Sequence, residues 1–231
     1  MHKKVMVIAV HPDDETLGAG GTLLKHQANG DEIHCIFCTD IFESEGFSKE
    51  QIDTREQEIQ EICKSYNFVS IHRLGLKTTK IDEYNTSYLV SLFSQIFTKI
   101  KPNILYLPFA YDVHSDHRII FQAAFSCTKS FRYPSIEKIL MMETLSESEF
   151  APTLPNQSFI PNVFVDISAF FEKKCEIMKI YQSELGKSPF PRSIENIEAL
   201  ATFRACTMGG GKETVDTKLY AESFMLLKEK C

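Results

Sequence analysis

Two short polar clusters, far apart in sequence, hold the chemistry this chain can do. The first is His11-Pro12-Asp13-Asp14-Glu15, directly after the apolar residues 5–10. The second is His114-Ser115-Asp116-His117, a few residues beyond the apolar residues 104–109. Together they supply enough nitrogen and oxygen donors for one divalent metal, with a carboxylate and an imidazole left over for acid–base work. A metal-assisted hydrolase needs that inventory. Pro12 holds the backbone after His11 extended and delays the next helix. Asp13 and Asp14 fall in the turn, where neighbouring carboxylates repel unless a cation or a helix N-terminus lies between them. Simple helix capping uses one carboxylate, with Glu15 as a first-turn acid, and leaves the histidine unexplained. His114 and His117 can bracket one site without both being ligands. Asp116 suits either a helix cap or a carboxylate that orients an imidazole.

The elements around these clusters explain how they could meet. Residues 5–10, 33–39, 69–74, 104–109, 136–142 and 163–167 are apolar runs of strand length. Between them lie helix-like segments at 18–28, 51–66, 87–100 and 116–131, with further helices around 169–183 and 194–206. Alternating strand and helix predicts a Rossmann-like three-layer α/β/α sandwich, mostly parallel, with strand order 3-2-1-4-5. The order reverses between strands one and four, and ligands bind outside the carboxyl ends of those strands. Both polar clusters sit there.

At 231 residues, one domain spanning 1–231 is expected, with no repeat or low-complexity break. The net charge of -6 argues against a nucleic-acid partner. No apolar run reaches the roughly 18 residues of a membrane span, and the apolar stretch behind the N-terminal lysines is too short for a signal peptide. Seven irregularly spaced cysteines read as free thiols of a reducing, cytoplasmic compartment. Cys35 and Cys38 form a nominal C-x-x-C, but in a strand they point to opposite faces. Gly18-Ala19-Gly20-Gly21 fails the dinucleotide pattern, because Leu23 stands where the third glycine belongs. Close helix packing explains these glycines better.

The two clusters resemble those of the LmbE/PIG-L family of zinc-dependent N-deacetylases. The likeness extends to Thr54-Arg55-Glu56-Gln57-Glu58, Phe164-Val165-Asp166-Ile167-Ser168, Tyr181-Gln182-Ser183-Glu184 and Ala221-Glu222-Ser223-Phe224. Val10 and Ala205-Cys206 depart from the usual pattern without touching a proposed ligand. The resemblance implies one zinc ion per chain on His11, Asp14 and His117, another divalent metal being an alternative. It further implies Asp13 as general base and His114 as the group that stabilises the oxyanion or protonates the leaving amine. Asp116 would hold the His114 ring, and Arg55 would be a substrate-side cation. The substrate would be a small acetamido sugar or sugar conjugate, taken by a monomer or a homo-oligomer. A zinc amidase for a non-sugar conjugate, or a metal- or carbohydrate-binding protein without catalysis, are the competing readings. Intact Asp13 and His114 count against the last. Residues 40–49, 78–86 and 145–157 are the loops expected to shape the pocket.

Overall fold

The computed structural model describes residues 2–209 and 218–230. Cys231, the seventh thiol of the sequence reading, lies outside the described residues. The elements run β1 (Lys4–Ala9), α1 (Asp14–Ala28), β2 (Glu32–Asp40), α2 (Lys49–Ser65), β3 (Ser70–Lys77), α3 (Thr86–Ile100) and β4 (Ile104–Leu107). They continue with α4 (Ser115–Ser126), β5 (Lys138–Met142), β6 (Val163–Asp166), α5 (Phe171–Met178), α6 (Ile194–Ala205) and β7 (Ala221–Glu229). One sheet carries all the strands in the order β3-β2-β1-β4-β5-β7-β6. The first five are parallel, as expected. β7, which the sequence pattern does not announce, inserts antiparallel between β5 and β6. Its adjacent Glu222 and Ser223 are both buried, which breaks the patterns by which a strand is read from sequence.

The sheet buries both faces. Val5, Val7 and Ala9 of β1 enter a core shared with α1, α2, α5 and α6. Met6, Ile8 and Val10 enter the opposite core, closed by α3 and α4. Cys35 belongs to the first core and Cys38 to the second, so the C-x-x-C pair is split by the sheet. Helix boundaries follow local chemistry. Ser48 caps α2 reciprocally with Gln51, and Lys101 ends α3 in a left-handed conformation immediately before Pro102.

Helix α1 is the central packing element, buried continuously from Asp14 to Leu24. Its glycines allow that depth. A Cβ on Gly21 would sit 2.7 Å from Ile167, and one on Gly18 would sit 2.9 Å from Met142. The backbone so exposed is met by a buried ion pair. Glu222 accepts the N–H groups of Gly21 and Thr22 at 2.8 and 2.7 Å. Lys174 donates to Glu222 at 2.7 Å and to the Leu17 carbonyl at 2.9 Å. The pair thus ties β7 and α5 to the helix that carries the first polar cluster.

Removing one partner strands the other charge in the core. Glu222→Ala should lower unfolding free energy by ~3–5 kcal/mol in urea denaturation, whereas Lys174→Met combined with Glu222→Leu should recover most of it. Equal loss in the single and double variants would show that the pair is not the origin of the cost.

Candidate metal centre and its cavity

Pairing of β1 with β4 sets Val5 opposite Ile104 and Val7 opposite Tyr106. The chain leaving each strand therefore emerges at the same sheet end, and the two clusters meet there. His11 and His114 have ring centroids 4.6 Å apart, and His11 and His117 5.3 Å. One donor atom from each of His11, Asp14 and His117 falls within a 4.8 Å set, a spacing that could hold a metal. His11, His114 and Asp116 form a second such set.

The chemistry of the first set fits a cation. His117 is fully buried. Its Nδ1 pairs with Asp112 at 2.8 Å, which turns Nε2 toward Asp14 Oδ2, 3.3 Å away. That buried Nε2 has no hydrogen-bond partner. A buried imidazole nitrogen aimed at a carboxylate, with its other nitrogen held by a second carboxylate, is the arrangement of a metal-ligating histidine. Asp14 also accepts the His11 N–H at 2.8 Å. Burial would raise the Asp14 pKa, but His117 and His11 overcome it and bring the carboxyl down to about 2. Asp14 therefore stays ionised and ready to bind a cation.

Asp13 sits at the helix entrance but does not cap it through its side chain. Its backbone has φ 145° and ψ −27°, outside the broad allowed regions for an L-residue. Such conformations cost about 1–3 kcal/mol and persist where surroundings enforce them. Here Glu15, buried beneath, accepts the Asp13 N–H at 3.2 Å, while Tyr181 donates to Glu15 at 2.9 Å. Burial lifts the Glu15 pKa to about 7. The Asp13 carboxylate meets Arg192 at 3.0 Å. Burial, then Asp14 and Glu184, push the Asp13 pKa well above the usual carboxylate range, and Arg192 only partly offsets them.

His114, rather than Asp116, caps α4: its Nδ1 accepts the Asp116 N–H at 3.1 Å. The ring proton therefore lies on Nε2. Burial and neighbouring His11 lower the His114 pKa to about 4, so it is a neutral donor. Asp116 thus meets the His114 ring through its backbone N–H, while its carboxylate, 4.0 Å from that ring, lies 3.2 Å from His11 Nε2 and orients His11 as well. Asp116 is fixed there by the N–H groups of Thr79 and Ile81 at 2.7 and 3.3 Å.

His11, Asp13, Asp14, His114 and Arg192 line a cavity of about 580 Å³, with His117 and Asp116 buried behind them. The three loops expected at its rim contribute Asp40, Ile41 and Phe47, Thr78 and Thr79, and Ser146 and Glu147. Arg55 lines it, but its donors are engaged: Glu58 at 3.0 Å, the Pro12 carbonyl at 3.2 Å, Ser183 at 3.0 Å, and Glu184. Arg55 thus braces the turn after His11. Sequence reasoning misses Asp112, Glu147 and Arg192. Asp112 could have been noticed as an acid shortly before the second cluster. Arg192, in the loop before α6, carries no local signal.

A strand-end site of two histidines and a carboxylate, on a doubly wound α/β sheet, defines the class. Within it the chain belongs to the PIG-L family, GlcNAc-PI de-N-acetylase, whose sequence profile matches residues 6–128. It is 25% identical over 192 residues to the diacetylchitobiose deacetylase of Thermococcus kodakarensis, covering 79% of this chain and 70% of that protein. The N,N'-diacetylchitobiose deacetylase from Pyrococcus horikoshii superposes with a TM-score of 0.75 at 22% identity, over 98% of this chain and 84% of that one. A 4-carboxy-2-hydroxymuconate hydratase from Pseudomonas putida superposes nearly as well, with a TM-score of 0.73 at 16% identity over 99% and 98% of the two chains. The fold alone therefore does not select the reaction; the site residues must.

In metal-free protein, burial pushes the His117 pKa down, but Asp14 and Asp112 more than reverse it and raise it well above the ordinary value. His117 should then be a cation at pH 7 without metal and lose a proton when Zn²⁺ is added. Imidazole ¹⁵N chemical shifts would report this. A ring that is neutral at pH 7 before zinc is added would contradict the electrostatic pull of the two carboxylates.

Proposed function

We propose that this chain is a zinc-dependent hydrolase that removes the N-acetyl group from an acetamido sugar or sugar conjugate, as a single domain. The observation that carries the reading is the buried, unpartnered Nε2 of His117 facing Asp14, with His11 within reach and Asp13 opening into the same cavity. His11, Asp14 and His117 would hold one zinc ion. Bound there, a divalent cation supplies a Lewis acid for the amide carbonyl and acidifies water to near neutrality.

The protein groups divide the remaining work. Asp13 takes a proton from the attacking water. Its raised pKa brings its basicity toward the working pH, where a general base is most effective. Arg192 holds that carboxylate in place and keeps it ionised often enough to act. His114, which lines the cavity and carries its proton on Nε2, would stabilise negative charge on the carbonyl oxygen as carbon becomes tetrahedral. The proton collected by Asp13 is then available to the departing amine. Asp116 and Asp112 set the His11 and His117 rings. Arg55 acts on the substrate side through the wall it braces. The free thiols Cys35, Cys38, Cys127 and Cys175, all buried, suit a reducing compartment, and we place the protein in the cytoplasm. Among the described residues, no helix is long and apolar enough to cross a membrane.

Asp13→Asn should keep its metal and lose on the order of 10²- to 10⁴-fold in kcat, measured as free amine released from N,N'-diacetylchitobiose. Near-normal turnover would remove Asp13 from the role of base. The two histidines of the second cluster should fail differently. His117→Ala should lose zinc in elemental analysis, whereas His114→Ala should retain it and lose about 10²- to 10³-fold in kcat. If His114→Ala strips the metal and His117→Ala does not, the roles are exchanged.

A further inference from the structure

The cavity wall has a charge pattern that bears on which sugars it admits. Among the described residues lining it, the only cationic side chains with fixed charge are Arg55 and Arg192, and no lysine contributes. Both arginines carry ion pairs, although Arg192 makes its two through Nη1 alone and its buried Nε has no partner. Arg55 lies against Glu58 and Glu184, and Arg192 against Asp13 and Glu184 at 3.0 and 3.2 Å. Lys77 and Lys80 flank the lining threonines Thr78 and Thr79, and both are bound to Glu45. Carboxylates outnumber guanidiniums in this wall. Glu50, exposed at the start of α2, faces the cavity without an ion pair among the described residues. Phe47 and Ile41, both half-buried beside it, supply an apolar patch.

We infer that the part of the substrate beyond its acetamido group is uncharged or cationic, a neutral glycan or aminosugar rather than a phosphate, diphosphate or carboxylate conjugate. This rests on the deacetylase reading, because the one further cation of the site, the metal, would be committed to the acetamide. An anionic group needs a guanidinium, an ammonium or a cluster of free N–H donors to offset its desolvation. This wall presents two guanidiniums that already carry carboxylate partners, an excess of carboxylates over cations, and Glu50 with no ion pair among the described residues, which together repel a further anion. Sugar hydroxyls have the opposite requirement. They donate to carboxylates such as Glu50 and Glu147, and the C–H face of a pyranose packs on Phe47 and Ile41. Glu147 is well suited to that exchange, since it already accepts the His114 N–H at 3.2 Å and keeps a second oxygen.

The test compares kcat/KM of the zinc-loaded enzyme for three compounds at low ionic strength: N,N'-diacetylchitobiose, N-acetylglucosamine 1-phosphate and UDP-N-acetylglucosamine. The neutral disaccharide should be favoured by about tenfold or more, and added salt should narrow the gap as like-charge repulsion is screened. Glu50→Lys, on an exposed helical position, should improve the two phosphorylated compounds relative to the disaccharide. Equal or better use of either phosphorylated compound by the wild type overturns the inference and leaves the deacetylase reading standing. Release of no amine from any of the three overturns both.

Discussion

Everything at this site depends on β1 and β4 being neighbours in a parallel sheet. Their pairing sets Val5 against Ile104, so the loops that follow the two strands leave the same end of the sheet. Parallel neighbours cannot be joined by a hairpin, so the residues between them, with β2, α2, β3 and α3, must form the crossover. The sheet thus converts a long separation in sequence into ring contacts between His11, His114 and His117. The sheet beneath the site has both faces buried by helices.

Within that frame, the middle of helix α1 and its N-terminal end differ in how buried charge is balanced. Glu222 and Lys174 satisfy each other and the backbone of α1, and nothing is left open. At the strand ends the balance is incomplete. His117 Nε2 is orphaned, Asp13 is held in a backbone conformation few residues adopt, and Asp13 carries a raised pKa despite Arg192. Strain and unsatisfied polarity persist where the surrounding structure over-determines them. Glu15 under Asp13, Asp112 behind His117 and Asp116 beside His11 are the residues that do so.

Much of this was legible in the sequence, for physical reasons. A parallel strand buried on both faces shows as an unbroken apolar run, so β1, β2 and β4 and the polar clusters behind them could be read directly. The glycines of α1 were correctly assigned to packing, since their place after an acidic turn argues against a phosphate. What was hidden depends on long-range pairing. β7 carries two buried polar residues and lacks alternation, so no local pattern reveals it. Arg192 reaches Asp13 from a loop far along the chain, which spacing cannot show. Asp116 meets His114 through its N–H and His11 through its carboxylate, and only the turn of the backbone decides that division. The resemblance makes Arg55 a substrate-side cation; that four separate groups occupy its donors is set by partners distant in sequence.

The central claim is that His11, Asp14 and His117, rather than His11, His114 and Asp116, form the metal site. Anomalous diffraction at the zinc edge from crystals of the zinc-loaded protein tests it most directly. The account predicts one peak per chain, about 2.0–2.2 Å from a nitrogen of His11, a nitrogen of His117 and an oxygen of Asp14. A peak bonded to His114 and Asp116, with His117 Nε2 still unpartnered, would contradict it.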